Sequence, residues 1–155
     1  MKKYDKLIFV SGSDTSTSPM AEAILQSRYL LEDIIIESKG LVVLFPEPIN
    51  PKAEAVLVSN GLSMKEHTSE PLGKEDFNER TLILTMDSTQ KEKILTDYEN
   101  VKNVYTLAGY IKINDEVRDP YGGALSDYGQ CFEHLRDLIT RLVVVLNEEE
   151  LLADK

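Results

Sequence analysis

Short apolar runs alternate along this chain with stretches whose apolar residues recur at helical spacing. Leu7–Val10 is a compact apolar run of the kind that forms a buried strand. A polar loop, Ser11 to Ser18, follows. Pro19 suits the first turn of a helix and Ser18 its N-cap, and Met20, Ala23, Ile24, Ser27 and Leu31 carry the helical spacing to about Leu31. Ile34–Glu37 reads as a second strand, its three isoleucines predicting burial on both faces. Phe45–Pro51 holds three prolines and reads as a loop, with Pro51 opening a helix over Lys52–Ser59 that Asn60-Gly61 stops. Thr81–Met86 is a third strand, Asp87 or Ser88 caps a helix to about Tyr98, and Asn103–Thr106 is a fourth strand. A long loop through Asp119-Pro120-Tyr121-Gly122-Gly123 leads to a last helix from near Ser126 to about Leu146, with a solvated acidic tail at Glu148–Glu150.

This β-α-β-α-β-α-β-α order predicts one α/β domain over residues 1–155, a four-stranded parallel sheet flanked by helices on both faces. No internal repeat, low-complexity stretch or linker divides it. Ligands of such sheets sit at the carboxyl ends of strands, near the point where strand order reverses, so the loop after the first strand is the first place to look for a site.

Composition narrows the function. The 155 residues are enough to bury a core without disulfide or metal support, and 42% hydrophobic with 28% charged content is that of a globular chain. Asp plus Glu number 27 against 17 Lys plus Arg, a net charge of −10, which argues against nucleic acid and against an anionic membrane surface as partners. The longest apolar runs, such as Leu41–Phe45 and Leu142–Leu146, are too short to span a bilayer, and Leu7–Val10 behind Lys2, Lys3 and Lys6 is too short for a signal peptide, so a cytoplasmic location is expected. Cys131 is the single cysteine, which excludes an intrachain disulfide and a cysteine–zinc cage. With His67 and His134 as the only histidines, neither metal nor cofactor is expected.

The loop Ser11-Gly12-Ser13-Asp14-Thr15-Ser16-Thr17-Ser18 leaves a strand and enters a helix N-terminus, where unpaired N–H groups and the helix dipole make an anion cradle. On the residues alone, a Ser/Thr-rich connection that merely caps the helix explains it equally well. The stretch Phe9-Val10-Ser11 with Ser18-Pro19-Met20-Ala21-Glu22 resembles the phosphate loop of the low-molecular-weight protein-tyrosine-phosphatase family, which carries Cys-x5-Arg-Ser there, followed by Pro or Thr. About a hundred residues on, Asp119-Pro120-Tyr121 resembles the family's general-acid loop, and Glu37-Ser38-Lys39-Gly40 is similar to its Arg-Ser-Ala-Gly segment. Thr15, the run Asp119 to Gly123 and the helix after it look closest to the bacterial branch that includes protein-arginine phosphatases. The resemblance implies the family's three-layer fold. It places Ser11 at the nucleophile position, Thr17 at the arginine position and Asp119 at the general-acid position. Gly12, Ser13, Asp14, Thr15, Ser16, Ser18 and Tyr121 would surround the ligand.

The departures are chemically large. Ser11 stands for cysteine, Thr17 for arginine, Asp14 for asparagine and Ser16 for a second cysteine. A helix N-terminus can ionise a thiol near neutral pH, whereas a serine hydroxyl stays protonated and needs an adjacent base. Asp14 is the base nearest in sequence; a Ser11–His134–Asp119 triad is the distant alternative. Arginine's bidentate fork on phosphate is absent, a loss of the order of 10²–10³ in rate by analogy with other transition-state stabilisers. Asp14 inside a cradle would repel phosphate, and we expect it or a hydroxyl to accept the loop's N–H bonds as an internal substitute for the anion. Cys131 and His134, three residues apart, share one helix face and read as a buried cysteine beside a surface histidine. Lys39 reads as a solvated lysine, and Tyr98 and Tyr128 as ordinary helix residues. The expected function is a pseudophosphatase, a binding or regulatory module for a phosphorylated protein or small anion. The alternatives are a phosphomonoester or phosphoarginine hydrolase of non-standard chemistry and an interaction protein with a vestigial loop.

Overall fold

Leu7 and Phe9 point to one side of the first strand and Ile8 and Val10 to the other, and all four are fully buried. Each such side chain contributes about 1.5–3 kcal/mol relative to exposure. That alternation between two apolar interiors makes β1 (Lys6–Ser11) the centre of a three-layer fold. The computed structural model describes residues 3–153, so the first two and last two residues of the expected domain lie outside it.

β1 pairs in parallel with β2 (Ile35–Gly40) on one side and β3 (Thr81–Thr85) on the other, and β3 pairs with β4 (Val104–Thr106), giving the order β2-β1-β3-β4. The order reverses between β1 and β3, so the carboxyl end of β1 lies at the switch point. Helices α1 (Thr17–Gln26), α2 (Pro51–Ser59) and α5 (Leu125–Ala153) cover the face that holds Leu7, Phe9, Leu82 and Leu84. Helix α3 (Ser88–Asp97) covers the other through Ile94, beside Ile8, Val10 and Ile83. A 3₁₀ turn at Lys74–Asp76 and a four-residue helix, α4 (Leu107–Tyr110), complete the set and were not expected. Asn50 caps α2 by accepting from Lys52 N and Ala53 N, and Asp87 caps α3 by accepting from Gln90 N, the latter as predicted.

Four expectations change. Helix α1 starts two residues before Pro19 and stops at Gln26 rather than Leu31. Ser27 Oγ donates to Ile24 O at 2.6 Å and Arg28 N to Leu25 O at 3.0 Å, which tightens the last turn, and Leu31 is exposed. Ser18 is therefore inside the helix, and Ser16 holds the cap position without a capping bond. β2 is an edge strand with Ile35 exposed, not a strand buried on both faces; its isoleucines fill one interior only partly. The acidic tail continues α5 to Ala153, where Tyr110 Oη donates to Glu149 and Lys3 N to Glu150 Oε1. Lys39 is no solvated lysine: its Nζ donates to both Asp76 oxygens, at 3.0 and 3.2 Å, in a largely buried pair.

Candidate active site: the loop after the first strand

The loop is held from behind by backbone. Leu41 N donates to Ser11 O at 3.0 Å, Val42 N to Gly12 O at 2.9 Å and Asn50 N to Thr15 O at 2.8 Å. Gly40 lies against it so closely that a Cβ there would sit 2.9 Å from the Ser13 carbonyl carbon and 2.7 Å from the Val43 side chain. Asp14 takes the left-handed conformation, φ 58°, that turns the chain around the cradle, and aspartate is among the few residues that tolerate it.

At the floor, Ser11 Oγ lies 2.6 Å from Ser18 Oγ and accepts from Asp14 N at 3.1 Å. Ser18 Oγ donates in turn to Asp14 Oδ1 at 2.8 Å. Ser11, Asp14, Ser16, Thr17 and Ser18 are buried, Thr15 is half-buried, and Gly12 and Ser13 are exposed at the mouth, where Ser13 Oγ and Thr15 Oγ1 share a bond of 2.7 Å. Among the described residues, the N–H groups of Gly12, Ser13, Thr15, Ser16 and Thr17 meet no protein acceptor. They are the donors an anion would use, at the start of α1.

The Asp14 carboxylate is not in the cradle. It is fully buried behind the loop, where Oδ2 accepts from Glu70 N at 3.1 Å and lies 3.6 Å from His67 Nε2. His67 Nε2 sits 2.7 Å from Asp14 O; a carbonyl can only accept, so this nitrogen carries a proton. Burial pushes the Asp14 carboxyl up from the usual range, against the opposing pull of Ser38, His67, Ser18 and the Glu70 N–H. Burial likewise raises Glu22, which Ser38 and His67 pull down. Ser38 Oγ is buried beside both carboxyls, which it pulls down, without a hydrogen bond of regular geometry. Neither internal substitute expected for the anion fills the cradle: Ser11 Oγ accepts the Asp14 N–H alone, and among the described residues no hydroxyl takes the other loop N–H groups. The carboxylate faces the other way. Sequence reasoning had no signal for His67 or Glu70, which reach Asp14 across more than fifty residues and only through the fold.

The second loop is built differently. Asp119 is exposed, and its Oδ1 accepts from Tyr121 N at 3.0 Å, an Asx turn. Tyr121 is 82% exposed and packs on nothing. The loop is tied to the start of α2 through Lys52 Nζ, which donates to Gly123 O at 2.6 Å. Two residues earlier in the chain, Asn50 N holds Thr15 O of the first loop, so α2 carries both. Asp119 and Tyr121 line an open cleft with Cys131 and His134. Cys131 Sγ donates weakly to Arg118 O, and burial together with Asp119 pushes its thiol up to about 12, which removes it as a nucleophile. His134 Nε2 lies 3.0 Å from Asp115 Oδ2 without a well-formed hydrogen bond, and Ser11 Oγ is bonded to Ser18 Oγ and Asp14 N, so among the described residues no hydrogen bond links Ser11 to His134 as a Ser11–His134–Asp119 triad requires.

A strand, a left-handed loop and a helix N-terminus at the switch point, with a second loop carrying an exposed aspartate, are the parts of a phosphate-handling α/β protein. Comparison with known proteins defines the class further. The model of the family "low molecular weight phosphotyrosine protein phosphatase" matches residues 6–152, and the chain belongs to that family. It is 30% identical over 141 residues to the low-molecular-weight protein-tyrosine-phosphatase PtpB of Staphylococcus haemolyticus, covering 88% of this chain and 96% of that one. The structure of the YwlE arginine phosphatase from Geobacillus stearothermophilus superposes with a TM-score of 0.87 at 29% identity, covering 94% and 95% of the two chains. A structure of a cysteine-to-serine mutant of YwlE with a phosphorylated active-site serine superposes with a TM-score of 0.83 at 30% identity, covering 91% and 95%.

Proposed function

We propose that this chain is a phosphatase-family protein that no longer turns over phosphate esters by a cysteine route and acts as a cytoplasmic binding or regulatory module for a phosphorylated protein or a small anion. In this reading Ser11 occupies the nucleophile position, Thr17 the arginine position and Asp119 the general-acid position. The remaining loop residues Gly12, Ser13, Asp14, Thr15, Ser16 and Ser18 shape the cradle, and Tyr121 stands at its rim. The observation that carries the reading is the floor of the loop. It is a pair of hydroxyls 2.6 Å apart, while the chain's one cysteine is buried on α5 with its thiol pushed up. A serine alkoxide is a far poorer leaving group than a thiolate, so a phosphoryl group on Ser11 would be slow to leave. Without an arginine fork, ligand is held by loop N–H groups alone, which favours modest affinity. The phosphorylated serine of the YwlE mutant supports the view that a serine in this fold can keep a phosphoryl ester.

The test is turnover. Purified protein is assayed with p-nitrophenyl phosphate and with phosphotyrosine and phosphoarginine peptides, and no sustained phosphate release is expected. Multiple turnovers that vanish with Asp119→Ala would overturn the reading in favour of a hydrolase of unusual chemistry. Titration with phosphate or arsenate separates it from a vestigial loop, which would bind neither. The combined change Ser11→Cys, Asp14→Asn and Thr17→Arg is expected to create phosphatase activity on the retained scaffold.

A further inference from the structure

We infer that Ser11 is a single-use phosphoryl acceptor, deprotonated on attack through Ser18 by the buried Asp14 carboxylate. The inference rests on the reading above and adds a covalent step to it.

Proton bookkeeping along the loop floor carries it. The Asp14 N–H can only donate, so Ser11 Oγ accepts there. The Asp14 carboxylate accepts at both oxygens, from Ser18 Oγ and from Glu70 N. Each serine has one hydroxyl proton. Ser18 spends its proton on Asp14, so in the 2.6 Å contact Ser11 must be the donor and Ser18 the acceptor. The chain therefore runs in one direction: Asp14 N–H to Ser11, Ser11 to Ser18, Ser18 to the Asp14 carboxylate. The hydroxyl bonds are 2.6 and 2.8 Å long, and the relay is buried from bulk water. Ser11 Oγ accepts from one N–H only and keeps a lone pair for attack.

The step balances. A phosphoramidate (a phosphoryl group on nitrogen) enters the cradle. The Ser11 Oγ–P bond forms as the P–N bond breaks. The Ser11 proton moves to Ser18 Oγ as the Ser18 proton moves to Asp14 Oδ1, and the departing nitrogen takes a proton from Asp119 or water. The products are phosphoserine and free amine. No base is poised to reverse the chain for hydrolysis, since the relay has then lost its hydroxyl on Ser11.

An amide at position 14 would turn the relay around. Glu70 N–H demands an acceptor from the side chain, which then presents its NH₂ to Ser18. Ser18 would donate to Ser11, and Ser11 would lose its route for the proton. This is why aspartate here differs in kind from the asparagine of the family pattern, and why the variant is diagnostic.

The full chain is incubated with phosphoramidate and followed by intact mass and peptide mapping over a range of pH. The expected result is gain of one phosphoryl group on Ser11, none in Ser11→Ala. Labelling of Asp14→Asn and of Ser18→Ala should be slower by about 10²–10⁴-fold, the usual worth of general-base assistance. The wild-type rate should fall as acid protonates Asp14, a limb missing from Asp14→Asn; a merely structural role would leave the pH profile unmoved. His67 and Glu22 are the titratable groups that face Asp14, so Glu22→Gln and His67→Gln are run beside Asp14→Asn and should keep the acid limb; its loss in either overturns the assignment to Asp14. Absence of label on Ser11, or labelling of either variant at the wild-type rate, overturns the inference. Phosphate binding without label overturns it while leaving the proposed function standing. Label followed by sustained phosphate release overturns the single-use acceptor and the proposed function together.

Discussion

The two loops tied to the start of α2 are built to opposite specifications. The loop after β1 is buried and over-determined: three backbone bonds hold it from outside, and Asp14 bonds it to Ser18, Glu70 and His67 from behind. The loop around Asp119 is exposed and held by an Asx turn, a short Pro120–Gly123 turn and one lysine. A buried polar network is costly to leave half-satisfied, so each of its side chains is fixed by its partners. Among the described residues the exposed loop carries no such network, and Asp119 accepts there from Tyr121 N in its own Asx turn. The lesson is that shape and chemistry part company in the first loop. The first loop keeps its turn through Asp14 at φ 58°, and a pair of hydroxyls, Ser11 and Ser18, lies at its floor.

Removing the Asp14 side chain is the harshest way to break this contrast. Asp14→Ala takes the acceptor from the Ser18 hydroxyl and the Glu70 N–H, leaves His67 only the Asp14 carbonyl, and puts alanine at φ 58°; it should cost about 3 kcal/mol or more in urea unfolding. Asp119→Ala, matched for size of change, should stay within about 0.5 kcal/mol. Next comes Gly40→Ala, whose Cβ would meet the Ser13 backbone and should cost about 1–3 kcal/mol while displacing the loop.

A pH comparison sharpens the point with a smaller effect. The Asp14 and Glu22 carboxyls are raised on folding by burial. A carboxyl raised in the native state favours folding below its unfolded pKa, and that contribution is lost as pH rises through the folded value. Asp14→Asn keeps an acceptor and removes the charge. Its stability relative to wild type should therefore improve as pH climbs from about 4 toward neutrality, the ordinary carboxylate value being near there. A parallel pair of stability curves would contradict the assigned burial effect. The slightest expected change is chemical. Cys131 should resist alkylation at pH 8 in the folded protein and react once unfolded, since its thiol is pushed up to about 12. Rapid native-state modification would show the α5 cleft to be more open than its packing.

Much of the fold was legible. The apolar runs marked all four strands, Pro51 and Asp87 marked helix starts, and the parallel order followed from strand–helix alternation. Strand positions failed where burial depends on neighbours. Three isoleucines look alike on a central and an edge strand, and only sheet order tells them apart. The end of α1 was missed because Ser27 turns its hydroxyl back on the helix, a local bond that competes with apolar spacing.

For the site, the inventory could be read along the chain: a strand–loop–helix turn, Ser11 at its start, no arginine within it, and Asp14 at the bend. Local chain geometry suffices for that, because the loop is eight consecutive residues. Only the tertiary structure decided which way the Asp14 carboxylate faces. His67 and Glu70 come from a distant segment packed beneath the loop, and they draw the charge behind the cradle rather than into it. The same packing sets the direction of the hydroxyl chain. A carboxylate with one oxygen committed to a backbone N–H leaves the other to take a proton from Ser18, and no pattern along the chain encodes that choice.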